Sequence, residues 1–170
     1  MHRNIWFAAS FKNDARPMNY AVDKFNALNA ELEKIAPSEK TAFNTVCMFQ
    51  PITKSIVEKG MGANGGNVLG LESRVEEGNG IMFLLTFAVN DAEAEERSLP
   101  LLTAYMQDLD EYTQDLGLDW GWRYLNYAHS SQDVISSFGK RAVEKLQAVS
   151  AKYDPDGVFQ KLRVLGFKLP

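Results

Sequence analysis

The chain has 170 residues, of which 45% are hydrophobic, a length that allows one buried core but not two independent ones. Its formal net charge is -4 at pH 7, and no cluster of Lys and Arg interleaves with aromatic residues. This charge balance argues against nucleic acid and anionic membrane as partners, so we expect a single domain over residues 1–170 that binds neither.

The first half of the chain alternates strand and helix patterns. Residues 5–11 are almost wholly apolar and predict a buried strand. Apolar residues then recur every three or four positions over residues 22–35, which predicts an amphipathic helix that Pro37 ends. Residues 41–50 and 81–89 are rich in β-branched and aromatic side chains and predict the second and third strands.

The second half completes the pattern. Residues 91–116 predict a long helix that Pro100 kinks or restarts, residues 120–127 predict a fourth strand, and residues 140–153 predict a last helix. The order βαββαβ plus a C-terminal helix is the ferredoxin-like α+β arrangement, a four-stranded antiparallel sheet with both crossover helices on one face. The other face stays uncovered by its own chain. We expect a flavin domain, a second copy or a hydrophobic substrate to cover it.

Alternation along the predicted fourth strand places Trp122, Tyr124 and Asn126 on one side. Matched with Trp6, Ala8 and Ser10 of the first strand, they give aromatic walls with a few polar groups, a mixture typical of small-molecule pockets. The alternative is that the same aromatic residues form core or interface. The predicted substrate-binding residues are Trp6, Ser10, Phe49, Gln50, Trp122 and Tyr127.

His129 follows this strand and titrates near neutrality, so it could act as a general acid or base if a tyrosine shares its site. The alternative is a solvated loop histidine. The predicted catalytic residues are His129, Tyr124 and Asn126. Asp133 instead fits a helix cap ahead of Val134.

Other chemistries lack their sequence patterns. The glycine-rich residues 60–71 have neither the dinucleotide-binding spacing nor the Gly-Lys-Ser/Thr of a phosphate loop. No spacing typical of a zinc site or a nucleophile elbow occurs, so we expect no metal. The single cysteine, Cys47, lies in an apolar alternating run and predicts a buried structural thiol. Residues 1–10 resemble neither a signal peptide nor a membrane span, which predicts a cytoplasmic protein if the chain is full length.

Seven segments in a consistent order resemble the substrate-binding half of berberine-bridge-type flavin oxidases. They are Ser10–Asp14, Phe49–Pro51, Gly65–Leu71, Leu125–Ala128, Gln132–Asp133, Asp154–Gln160 and Gly166–Leu169. The resemblance implies that Asn126 and Tyr127 lie against the flavin and that the open sheet face forms the substrate wall. It also offers an alternative for the glycine-rich residues, which would pack beside the active site instead of forming a mobile loop.

The chain departs from this family in several places. His129 stands where the family commonly has an acidic residue, Val134 replaces a proline, and Val164–Phe167 replaces the usual Pro-Gly-Gly-Phe. On this resemblance, residues 1–170 are expected to lack the FAD-binding half of such oxidases. The chain alone is therefore expected to bind no cofactor, and FAD only together with a partner domain.

Three functions follow from these observations. The favoured hypothesis is a stand-alone, cofactor-free enzyme for a redox-neutral cyclisation, isomerisation or pericyclic step on a hydrophobic natural-product intermediate, dimeric through its open sheet face. The alternative is the substrate-binding part of an FAD-dependent oxidoreductase that needs a separate flavin domain. The third is a non-catalytic binding module.

Overall fold

The computed structural model describes residues 3–35, 42–61 and 66–170 and has an α+β fold. Its elements in chain order are β1 (Arg3–Lys12), α1 (Ala15–Ile35), β2 (Phe43–Ile52), α2 (Lys54–Met61), β3 (Gly80–Val89), α3 (Ala92–Asp115), α4 (Val134–Ser137), α5 (Lys140–Tyr153) and α6 (Val158–Leu162). The sequence patterns predict the three strands, the three longest helices and the Asp133 cap at the start of α4, but not the short helices α2 and α6. Pro37 and residues 62–65 of the glycine-rich segment lie outside the described residues.

The described residues form one three-stranded antiparallel sheet in the order β1-β3-β2. The central strand β3 pairs with both neighbours in a continuous register, from Arg3 opposite Val89 on one side and from Phe43 opposite Val89 on the other. The predicted four-stranded sheet is therefore wrong in its last strand, and a ferredoxin-like order is not confirmed.

The predicted strand over residues 120–127 fails because the chain leaves β1 after a short contact. Lys12 N donates to Leu118 O at 2.9 Å, and Trp120 N donates to Ser10 O at 3.0 Å. Gly121 then adopts φ 60°, in the left-handed region, which interrupts the extended course. No regular strand follows among the described residues of this segment.

The first hydrophobic cluster fills the space between the sheet and two long helices. Odd-numbered residues of β1 and β3 point to this side, because side chains alternate along a strand. Leu28 and Leu32 of α1 and Leu102 and Leu109 of α3 pack against them. Pro100 lies within α3, which continues across it without a restart.

A second cluster covers one end of the opposite sheet face. Met82 of β3 packs there with Trp120, Trp122 and Phe138 from the segment after α3, and with Leu71 from the segment before β3. The face predicted to be wholly open is thus partly covered by its own chain. The other end of this face, beside Trp6, defines the candidate site.

Candidate functional site

The uncovered end of the sheet carries large, partly exposed apolar side chains on its two outer strands, β1 and β2. Trp6 of β1 and Val46 of β2 both lie opposite Thr86 of β3, and each is 40% exposed. Met48, two residues along β2 on the same side, is 41% exposed. We call this surface, with Trp6, Val46 and Met48, the open face.

A row of four aromatic rings runs from the open face into the second cluster. The ring centroids of Trp6 and Tyr127 lie 5.5 Å apart in an edge-on arrangement, and those of Tyr127 and Tyr124 lie 4.9 Å apart at 85°. Trp122 follows at 5.9 Å from Tyr124. Such edge and offset contacts stabilise aromatic pairs beyond their buried area. The row therefore forms a rigid wall beside the open face.

Trp122 closes the inner end of the row and is almost completely buried. Its indole Nε1 donates to Leu69 O at 2.9 Å, so the described part of the glycine-rich segment packs directly on the aromatic row. This contact places Leu69 beside the aromatic row, and the placement of this segment beside an active site stays a prediction. Burial makes Trp122 a support for the row.

Polar groups at the wall are few. Asn126 Nδ2 donates to the Tyr124 hydroxyl at 3.0 Å, and both side chains lie where solvent reaches them. On β2, Gln50 Nε2 donates to the sulfur of Met48 at 3.0 Å. The structure thus brings together Tyr124, Asn126, Tyr127 and Trp6 of the predicted site.

His129 makes its contacts elsewhere. Its ring centroid lies 4.6 Å from that of Phe7, a buried residue of the first cluster, and Nδ1 lies 2.8 Å from the Ser131 hydroxyl. Desolvation by partial burial lowers the pKa of His129. Phe7 and Trp6 point to opposite faces of the sheet, so His129 packs on the side away from the aromatic row. No described contact links His129 to Tyr124 or Asn126. Its catalytic role stays a prediction.

Besides Trp122, two other predicted substrate-binding residues, Ser10 and Phe49, lie away from the open face. Ser10 is buried, and its hydroxyl donates to Trp122 O at 2.6 Å, so it anchors the wall to β1. Phe49 packs 5.3 Å from the Phe83 ring in the first cluster, on the face that the helices cover. Ser10 is thus covered by the second cluster and Phe49 faces the helices, and their roles in substrate binding stay predictions.

Gln132 holds the wall on β1, a function that the sequence patterns did not predict. Its Nε2 donates to Ala8 O at 2.7 Å, and its Oε1 accepts from Ala8 N at 3.0 Å and from His129 N at 3.1 Å. The side-chain amide thus pairs with the edge of β1 as another strand would. The neighbouring Asp133 accepts from Ser136 N, which confirms its prediction as a helix cap.

A separate groove of about 760 Å³ lies between the segment after Gly66 and the start of α5. Arg74 spans its base, where its guanidinium donates to the backbone oxygens of Gly70, Trp120 and Ser137. These contacts tie the segment that carries Arg74 to Trp120 and to the end of α4.

Within residues 3–35, 42–61 and 66–170, no helix is long and apolar enough to cross a membrane. The same residues contain no group of three or more His, Cys, Asp or Glu arranged to hold a metal ion. Cys47 is partly buried, and desolvation raises its pKa, which disfavours the reactive thiolate.

The chain is similar to part of several larger proteins. It is 32% identical over 167 residues to the FAD-dependent monooxygenase drtC of Aspergillus calidoustus, covering 98% of this chain and 31% of that protein. It is 32% identical over 168 residues to the FAD-dependent monooxygenase sdcF of Emericella nidulans, covering 99% of this chain and 34% of the relative. The bifunctional solanapyrone synthase of Alternaria solani is 37% identical over 122 residues, which are 72% of this chain and 23% of that enzyme.

The chain thus spans about a third of the length of the first two relatives and is homologous to a part of FAD-dependent monooxygenases. No family model and no solved structure matches it.

Proposed function

We propose that the chain is the substrate-binding part of an FAD-dependent oxidoreductase of the berberine-bridge type. The observation that carries this proposal is the aromatic row beside the open face, with Trp6 exposed at its outer end and Tyr124 and Tyr127 behind it. An apolar, aromatic surface with few polar groups suits a hydrophobic small molecule. The names of the relatives support a flavin partner.

The residues of the open face fit one side of a flat ring system but not a whole dinucleotide. Trp6, Val46 and Met48 offer apolar contact, whereas an FAD pyrophosphate needs backbone N–H groups or cations around it. The pyrophosphate site would therefore belong to another segment or polypeptide. When bound there, the flavin supplies the electron acceptor for substrate oxidation.

This chain's own residues would then hold and orient the substrate. Trp6 and Tyr127 would stack against its hydrophobic part and exclude water. The Tyr124 hydroxyl, which accepts from Asn126 Nδ2 at 3.0 Å, keeps its own proton free to donate to a substrate oxygen. The predicted roles of Tyr124 and Asn126 are therefore orientation and hydrogen bonding.

Reconstitution tests the proposal. The chain would be mixed with the part of drtC that it does not match, which makes up most of that relative. We expect the chain alone to be colourless and the complex to carry visible flavin absorbance. Trp6→Ala should raise KM for a hydrophobic substrate, and the matched Val22→Ala, 41% exposed on α1, should not. A colourless chain that turns substrate over alone would contradict the proposal.

A second candidate is the cofactor-free, redox-neutral enzyme, which the Tyr124–Asn126 pair favours because both polar groups lie within this chain. It predicts turnover by the chain without any flavin partner. His129→Ala and Tyr124→Phe would be compared in that assay. If both variants kept full turnover, this candidate would fail. Ligand capture without product would instead indicate a binding module.

A further inference from the structure

The two edges of the sheet differ in their hydrogen bonding to the rest of the chain. The outer edge of β1 is occupied by the backbone of residues 118–120 and by the amide of Gln132, which bonds both N and O of Ala8. The strand order makes β2 the opposite edge, and no described strand lies beyond it. Residues of the chain thus cover the edge of β1, whereas none of the described strands pairs with the outer edge of β2.

The sequence of β2 lacks the usual protection of an edge strand. Natural edges carry charged residues, bulges, prolines or a covering segment, which prevent pairing with another chain. Residues 43–52 contain no charged side chain and pair with β3 over ten positions without a bulge. Pro51 is the only proline and lies next to the end of the strand. A long, regular and uncharged edge favours strand addition.

We propose that β2 pairs antiparallel with β2 of a second copy of this chain, which gives a continuous six-stranded sheet. All strand neighbours in the sheet are already antiparallel, and a two-fold axis perpendicular to the sheet continues this pattern. Two identical strands without charge meet with no like-charge contact. Trp6 lies on β1, the opposite edge strand, and stays exposed in both copies. The pairing therefore leaves the proposed substrate surface accessible and does not depend on the proposed function.

The solution mass tests the pairing. We expect twice 19.1 kDa at high protein concentration and dissociation on dilution. The double variant Val46→Lys/Met48→Lys gathers four ammonium groups near the two-fold axis and should weaken self-association roughly tenfold or more. Val22→Lys is the matched control, because Val22 is 41% exposed on α1 and should leave the mass unchanged.

Trp6→Lys separates the edge pairing from a dimer through the open face. Trp6 is exposed as much as Val46 but lies on β1, so its substitution would break a face-to-face dimer and leave the edge pairing intact. Thermal unfolding of each variant would show that it folds.

Hydrogen exchange reports on the backbone directly. Amides of residues 43–52 should gain protection as the concentration of the chain rises, and the double lysine variant should lose this gain. A monomer at every concentration would overturn the proposal, as would a dimer that only Trp6→Lys disrupts. Protection that appears only with the flavin-binding part of drtC would also overturn it and would identify that part as the occupant.

Discussion

Asp110 and Arg123 form an ion pair between α3 and the segment that carries the aromatic row. Arg123 Nη2 lies 2.5 Å from Asp110 Oδ2, and their side chains are only 12% and 23% exposed, respectively. Desolvation outweighs the attraction to Arg123 and raises the pKa of Asp110 from 3.8 to about 6. The folded protein therefore binds this proton more tightly than the unfolded chain.

This pKa shift gives a pH dependence with a definite sign. Because the folded-state pKa is raised, the contribution of Asp110 to stability falls as pH rises from about 4 to about 6 and is constant above that range. The free-energy change is on the order of 3 kcal/mol. Urea unfolding at several pH values should show this fall in the parent protein and not in Asp110→Asn.

Asp108, on the same helix, provides the matched control. Partial burial alone would raise the pKa of Asp108, but hydrogen bonds from Lys24 and Tyr20 outweigh this effect and lower it. Asp108 therefore stabilises the folded protein at neutral pH, and this contribution is lost as pH falls, which is the opposite trend to that of Asp110. Asp108→Asn should remove this pH-dependent contribution. Equal pH profiles for the two variants would contradict the assignment.

Gln132 provides a second prediction for a single side chain. Gln132→Ala removes three hydrogen bonds and leaves N and O of Ala8 without this partner, which should cost about 1–3 kcal/mol. Gln132→Glu keeps the shape but cannot donate to Ala8 O, so it should recover little. The check is the free energy of unfolding together with hydrogen exchange at the Ala8 amide. Unchanged exchange there would show that Gln132 does not hold the edge.

At the scale of elements, Gly70 joins the glycine-rich segment to the start of α5. It adopts φ 67°, and a Cβ added there would lie 1.8 Å from the Phe138 carbonyl oxygen. Gly70→Ala should therefore cost about 3 kcal/mol or more, because a backbone clash adds to the left-handed strain. Gly117→Ala has nearly the same φ, 65°, and open space around it, so it should lose only about 1 kcal/mol. Chemical denaturation of both variants measures the difference.

The strands and long helices could be predicted because burial on one side imposes a regular apolar period. The prediction of a fourth strand was wrong for the same reason. Trp120 and Trp122 alternate with polar residues because both are buried in the second cluster, and strand pairing is not required for that. The sequence carries no local signal for the side chain of Gln132 binding a strand edge. This contact joins residues 124 positions apart and depends on the completed fold.

The candidate site was partly predictable on the same grounds. Tyr124, Asn126 and Tyr127 come together because they are close in sequence, and Trp6 joins them because β1 lies beside that segment. The covering of Ser10 by the second cluster and of Phe49 by the helices was not predictable, since alternation defines two sides of a strand but not which parts of them the chain later covers. His129 follows the wall, but its ring packs on Phe7.

At the scale of the whole molecule, β3 joins the two hydrophobic clusters. Phe83 and Leu85 belong to the first cluster, whereas Met82, on the other side of the same strand, belongs to the second. Neither cluster can lose its packing without disturbing the strand that both share. The two parts should therefore unfold in a single cooperative transition.

The three tryptophans make this prediction measurable, because all of them lie on the side of the second cluster and the open face. Tryptophan fluorescence follows that side, and far-ultraviolet circular dichroism follows mainly α1 and α3 on the first cluster. We expect the two signals to give the same urea midpoint. Trp122→Phe should lower both midpoints together, because it loses the bond to Leu69 O and buried volume. An earlier fluorescence transition would show instead that the aromatic row separates before the sheet unfolds.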